Sequence, residues 1–139
     1  MERISQIFSE LYDKVLIKYQ NSPARSTAFP EMSANDEHYI DLLYTLKNAT
    51  GTSFAIAAKI SKPAATRIIQ RFIAAGYLTK HPSKQDKRIS YLTLTKAVRN
   101  HCRKNYQLFD SVFLECTAAL TKEEQAQLQL LLRKINQKI

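Results

Sequence analysis

Glycine, proline and cysteine are all scarce in this sequence. Two glycines and four prolines occur among 139 residues, without any low-complexity run, which argues against disorder outside the termini and one loop. No apolar stretch reaches the roughly 18 residues that a membrane span needs, and the amphipathic start of the chain does not resemble a signal peptide. We therefore expect one folded domain over residues 1–139 that is not a membrane protein.

Catalytic and redox motifs are equally sparse. Cys102 and Cys116 fall within a helical pattern, about 20 Å apart along the helix, so they cannot form a disulfide there. A reducing, cytoplasmic setting fits this arrangement. The sequence has no glycine-rich phosphate loop and no nucleophile motif, and its basic segment has no carboxylate pair. We expect no catalytic residue, no metal and no cofactor, which argues against an enzyme.

Acidic residues are nearly absent from one part of the chain. Residues 59–104 hold twelve lysines and arginines but a single acid, Asp86, which gives this segment a charge of +11. The other 93 residues carry nine bases and eleven acids, so the net charge of +9 arises from this segment. Such a local excess of positive charge predicts a surface that binds a polyanion.

Hydrophobic periodicity and turn residues predict a mainly α fold with a small β-hairpin. Helices are expected at about residues 2–20, 34–48, 52–59, 62–75, 96–118 and 122–138, and strands at 77–81 and 89–95. Ser61 is the expected N-cap of the fourth helix, and Gly76 is expected to end it. The residues of this helix expected to face the core are Ala65, Ile68, Ile69, Phe72 and Ile73.

The third and fourth helices are typical of a helix-turn-helix, whose second helix lies in the DNA major groove. On that helix Arg67 would donate two bonds to guanine, and Gln70 would suit adenine. Arg71, farther from the helix start, would meet phosphate, and a second phosphate would lie at the helix N-terminus. The residues of this recognition helix predicted to bind DNA are Ser61, Lys62, Pro63, Ala64, Thr66, Arg67, Gln70 and Arg71.

The hairpin between the two strands has a charged tip at residues 82–88 and is the predicted wing of a winged helix-turn-helix. Arg88 would enter a narrow minor groove, where the negative potential is enhanced. Asp86 would hold that arginine in place rather than meet DNA. The wing residues assigned to the interface are Lys84, Asp86, Lys87 and Arg88.

These segments resemble the MarR/SlyA family of winged-helix transcription regulators. The similarity rests on the run 60–72, on Gly76-Tyr77-Leu78, on the Asp-x-Arg of 86–88 and on the Leu-Thr-Leu-Thr of 92–95. The resemblance implies a homodimer on a pseudo-palindromic operator, usually a repressor and often released by a small ligand or an oxidant. The sequence departs from the family in the short helix at 52–59 and at 96–98, but not at the residues expected to read DNA.

Three amphipathic helices lie outside the DNA-binding region predicted at 35–95. A winged helix does not require them, whereas a shared helical interface does. Residues 1–20 and 96–139 are therefore predicted to form a dimerisation region; alternatively, these helices pack back on their own core. The predicted interface residues are Ile4, Phe8, Leu11, Val15, Leu128, Leu131, Leu132 and Ile135.

The signal that would control such a regulator is left open among three alternatives. Cys102 has basic neighbours, which would lower the pKa of its thiol and favour oxidation. A zinc-sensing branch of the family places a histidine near the start of the second helix, where Glu37 and His38 lie. That branch also has histidines on the long helix after the wing, where only His101 and Cys102 occur, which is not an obvious match. A small phenolic ligand would instead enter a cleft lined by aromatic residues, namely Phe8, Tyr12, Tyr19, Phe29, Tyr39 and Tyr44.

Two other binding classes share the same charge pattern. A sequence-neutral architectural protein would bind DNA with little preference among sequences. A protein-interaction winged helix would present the same face to an acidic partner, and competition with DNA would distinguish it.

Overall fold

The computed structural model describes residues 2–139, and within them the chain forms six helices and one two-stranded antiparallel sheet. The elements are α1 (Ile4–Asn21), α2 (Ala34–Thr45), α3 (Gly51–Ala58), α4 (Lys62–Ala74), β1 (Leu78–Pro82), β2 (Ser90–Leu94), α5 (Lys96–Thr117) and α6 (Lys122–Lys138). This order confirms the predicted mainly α fold with a β-hairpin. Within residues 2–139, no helix is both long and apolar enough to cross a membrane.

The chain divides into two compact units. Ser26–Asn105 forms one, called here the winged-helix unit, and Met1–Arg25 with Tyr106–Ile139 forms the other, called the helical unit. The first residues of α5 therefore belong with the winged-helix unit, whereas the sequence suggested a boundary in front of that helix.

The winged-helix unit is built around a continuous apolar core. Phe54 of α3 and Phe72 of α4 are completely buried, and Leu78 and Val98 join them from β1 and α5. Burying side chains of this size removes the largest apolar surfaces of the unit from water, which is the main driving force for its folding. The core thus fixes which face of α4 points inward and leaves the opposite face in solvent.

Local sequence sets the two ends of α4. The N–H of Ala64 donates to Ser61 Oγ at 3.2 Å, so Ser61 is the predicted N-cap. Gly76 has a φ of +81°, a left-handed conformation that ends the helix at little cost only for glycine. One prediction for this helix was wrong: Ile73 was expected in the core, but it is 38% exposed because it lies on the side that faces the wing.

The wing is attached to the turn that precedes α3. In the hairpin, Leu78 pairs with Leu94 and Pro82 with Ser90. The N–H of Leu92 also donates to the carbonyl of Ala49 at 2.8 Å. This turn contains Asn48 with a φ of +51°, a left-handed conformation that asparagine tolerates better than most residues.

The helical unit has a small core of its own. Val15 of α1 packs with Leu108 and Val112 of α5, so this predicted interface residue is buried within its own chain. In α6, all of which the structure describes, no residue is buried. Large apolar side chains of the unit are exposed, including Ile4, Phe8, Leu11, Leu131, Leu132 and Ile135. The unit therefore presents apolar surface that its own fold leaves uncovered.

Candidate nucleic-acid interface

The outward face of α4 is polar, exposed and positively charged. Lys62, Thr66, Arg67 and Gln70 are all exposed, and Ala64 is half-buried. Across residues 2–139, neither Lys62 nor Arg67 forms an ion pair. The structure thus places the predicted base-reading residues together on one face, and the cations there are not neutralised by the protein.

Unlike Lys62 and Arg67, Arg71 of the predicted recognition helix forms an ion pair. Its Nη1 and Nη2 donate to the two carboxylate oxygens of Asp36, at 3.1 and 2.9 Å. Asp36 lies in the first turn of α2 and its side chain is only 13% exposed, whereas that of Arg71 is 55% exposed. The hydrogen bonds from Arg71 hold the pKa of Asp36 below its ordinary value. The predicted phosphate contact of Arg71 stays a prediction, but its terminal nitrogens already have a partner.

A second acid holds the chain just beyond the end of α4. The hydroxyl of Tyr77 donates to Glu31 Oε1 at 2.8 Å, and the ring of Tyr77 lies between those of Phe29 and Phe72. Burial, with the hydrogen bond to Glu31, raises the pKa of Tyr77 to about 12, so this hydroxyl stays protonated and remains a donor. The end of the loop before α2 is therefore held against the residues just after α4, and the first turn of α2 is held against Arg71 in α4.

The wing tip has a defined shape. Ser83 is buried, and its Oγ accepts hydrogen bonds from the N–H groups of Gln85 and Asp86. Nε and Nη2 of Arg88 donate to the carboxylate of Asp86, both at 3.1 Å. This is the predicted pairing of Asp86 with Arg88, and these bonds lower the pKa of Asp86. Even so, the side chain of Arg88 is 90% exposed, so the pair orients the arginine without burying it.

A groove of about 480 Å³ separates α4 from the wing. Thr66 and Gln70 of α4 lie on one side of it, and Lys80 and Arg88 of the hairpin lie on the other. The start of α3 closes the groove with Thr50, Gly51 and Thr52. Lys80 and these three residues were not predicted to lie in the interface. Lys80 was identifiable from the basic segment, but the residues of α3 carry no charge that would have marked them.

Cys102 does not have the reactivity that its basic neighbours suggested. It is buried, and burial, with the negative charges of Asp41 and Glu37, raises the pKa of its thiol to about 12. The predicted lowering of this pKa was wrong because Arg99 and Arg103 are exposed to solvent while acids of α2 face the sulfur. A group that stays protonated in this way is a poor nucleophile at neutral pH.

Two of the residues proposed for zinc, Glu37 and His101, belong to a hydrogen-bond network within the protein. Nδ1 of His101 lies 2.7 Å from Ser26 Oγ, and its Nε2 lies 3.1 Å from both carboxylate oxygens of Glu37. In the part of the chain that the structure describes, no three His, Cys, Asp or Glu side chains form a group that could hold a metal ion. Both ring nitrogens of His101 are therefore already in use within the fold.

The aromatic residues considered for a phenolic ligand are divided between the two units. Tyr39 packs edge-on against Phe54, and Phe29 contacts Tyr77 and His101 in the winged-helix unit. Phe8, Tyr12 and Tyr19 belong to the helical unit. A cleft for such a ligand stays a prediction.

Comparisons with known proteins agree with this geometry. Residues 32–90 match the model of the MarR family, a range that includes α2, α3, α4 and most of the hairpin. No curated protein matches the sequence.

Several solved structures share the fold over nearly the whole chain. FabT of Streptococcus pneumoniae, in complex with DNA, has a TM-score of 0.76 at 21% identity, covering 97% of this chain and 94% of that one. MepR of S. aureus, bound to ethidium bromide, has a TM-score of 0.73 at 17% identity, with coverages of 99% and 96%. The adhesin competence repressor AdcR of Streptococcus pyogenes has a TM-score of 0.63 at 18% identity, with coverages of 99% and 98%. The family match over residues 32–90 and the fold shared over nearly the whole chain support the identification of this chain as a MarR-family winged-helix regulator.

Proposed function

We propose that this protein is a sequence-specific DNA-binding regulator that represses genes from a pseudo-palindromic operator. The observation that carries the proposal is the groove between α4 and the wing. On one side of the groove α4 presents Thr66 and Gln70, with the exposed Arg67 on the same helix, and on the other side the wing presents an oriented arginine, Arg88. Arg67 and Gln70 suit guanine and adenine edges in the major groove, and Arg88 suits a narrow minor groove.

Electrostatics support the same conclusion. In the basic segment the sole acid, Asp86, is paired with Arg88, so no acid of that segment is paired with the lysines of the wing and recognition helix. These exposed cations would neutralise phosphates and release counterions, which makes affinity fall as salt rises. The relatives support DNA as the polyanion, since FabT was solved in complex with DNA.

The proposed assembly is a homodimer formed through the helical unit. Its support is the exposed apolar surface of α1 and α6, where Phe8, Leu131 and Ile135 are each more than half exposed. A monomer would leave this surface in water, whereas a two-fold interface would bury it. The dimer would present two recognition helices about 34–36 Å apart, which matches successive major grooves.

A small ligand is the proposed releasing signal. The structure of MepR with ethidium bromide supports this choice over oxidation. The buried, protonated thiol of Cys102 also argues against that cysteine as an oxidant sensor. Ligand binding would shift the equilibrium only if the ligand prefers a conformation that fits the operator less well.

The test of the proposed function is a pull-down of sheared genomic DNA from the source organism, sequenced after washing at moderate salt. One or a few sharp peaks that share an inverted repeat are expected. A matched pull-down with Arg67→Ala and Arg88→Ala combined should lose those peaks. Flat enrichment along the genome would contradict a sequence-specific regulator and would favour the architectural alternative.

A further inference from the structure

The ion pair between Asp36 and Arg71 connects α2 to the last turns of α4. Asp36 has a second constraint, because its N–H donates to Ser33 Oγ at 3.1 Å, which caps α2. The N-terminal end of a helix also favours a carboxylate there. The backbone of Asp36 is therefore held at the start of α2, and its carboxylate is held by Arg71.

Apolar packing alone does not fix the orientation of α4 so closely. Ala65, Ile69 and Phe72 bury one face of the helix, but hydrophobic contact is non-directional and tolerates small rotations and sliding. A bidentate pair of a guanidinium with a carboxylate has a defined plane and defined distances. The arginine also lies over the ring of Phe72, with 5.2 Å from Cζ to the ring centroid. The pair thus adds a directional constraint at one end of the helix.

The predicted base contacts lie along α4 at some distance from the ion pair of Asp36 with Arg71. A small change in the orientation of the helix at Arg71 therefore displaces them. Lys62 precedes Arg71 by nine residues, which corresponds to about 13 Å along a helix. A tilt of about 10° at Arg71 would move Lys62 by about 2 Å, several times the latitude of a hydrogen bond. Arg67, one turn from the anchor, would move by about 1 Å.

We propose that Asp36 is a positioning residue for DNA recognition, which acts through Arg71 to set the orientation of the recognition helix. Asp36 itself meets no DNA, since it is a largely buried anion behind α4. The inference rests on the proposed function, because it requires that α4 read an operator. It gives Arg71 a role other than the phosphate contact predicted from its position.

The test uses fluorescence anisotropy with two duplexes. One carries the inverted repeat recovered from the genomic pull-down, and the other is a scrambled duplex of the same length and composition. Wild type must first prefer the repeat; if it does not, the proposed function fails. With that preference established, Asp36→Asn should reduce it about tenfold or more through weaker binding to the repeat, because any effect of the lost negative charge is shared by both duplexes.

A different result is expected if Asp36 does not position the recognition helix. If Asp36 only withholds Arg71 from phosphate, then Asp36→Asn frees a cation and tightens binding to both duplexes, which overturns the inference. An unchanged preference overturns it as well. Glu115→Gln is the matched control, because it breaks an exposed pair with Lys18 in the helical unit and should change neither affinity.

Arg71→Lys keeps the inference testable even if Asp36→Asn unfolds the protein. Lysine preserves the charge on an exposed side chain but cannot make the bidentate pair. Loss of preference for the repeat, at an unchanged melting temperature, supports positioning. Retained preference refutes it, since a phosphate contact would survive the substitution. The double variant with Asp36→Asn should lose no more than either single variant, because the two residues act as a unit.

Discussion

Arg67→Ala is the substitution that most directly tests base reading by α4. The side chain of Arg67 is exposed and forms no ion pair within residues 2–139, so its removal should change the free energy of unfolding by less than about 0.5 kcal/mol. If Arg67 makes a bidentate contact with guanine, the loss of binding free energy at the operator should be about 1–3 kcal/mol. At 25 °C this corresponds to a loss of affinity of about 5- to 150-fold.

The assay is anisotropy with the recovered inverted repeat and a series of duplexes that each carry one substituted base pair. Arg67→Ala should bind the repeat and the duplex altered at one position with equal affinity, while still discriminating at the others. Lys104→Ala is a control of equal charge change, because this lysine is also exposed in the winged-helix unit but lies on α5. Equal losses on every duplex, with a salt slope reduced by about 1, would refute the reasoning and show a phosphate contact instead.

Three further substitutions or treatments have expected outcomes. Arg88→Ala should weaken anisotropy-measured binding most at repeats with A·T-rich flanks, since a narrow minor groove attracts this arginine; equal weakening at G·C-rich flanks would contradict its insertion. Leu131→Lys combined with Leu132→Lys should convert the proposed dimer to a monomer in sedimentation experiments, because charges cannot be buried unpaired; an unchanged dimer would place the interface elsewhere. Cys102 should react with iodoacetamide at pH 8 at least about tenfold more slowly in the native protein than in urea, because its pKa is raised and it is buried. Mass spectrometry would measure the two rates, and similar rates would show that the thiol is accessible and ionised.

Features encoded within a few residues could be predicted from the sequence. Ser61 as an N-cap, Gly76 as a helix stop and the pairing of Asp86 with Arg88 all involve partners at most three residues apart. Their geometry follows from local backbone conformation and residue type. The predicted order of helices and strands was confirmed because it also rests on local patterns in the sequence.

Features that depend on distant partners could not be predicted. Asp36 and Arg71 are 35 residues apart, and Ser26 and His101 are 75 residues apart. Nothing in either local sequence marks one as the partner of the other. The pKa of Cys102 was misjudged for a related reason, because the flanking bases were visible in the sequence whereas the burial and the acids of α2 were not. Ile73 was misjudged because helical periodicity does not show that a hairpin lies beside it.

The hydrogen bond between Leu92 and Ala49 has a consequence for how the wing is aimed. A two-stranded hairpin has little stability by itself, so its direction depends on what its base is attached to. That attachment is the turn before α3, whose path is set by the left-handed backbone of Asn48. The direction of the wing is therefore encoded some forty residues before its tip. A change of loop length around Asn48 would thus redirect the wing without any change in the wing's own residues.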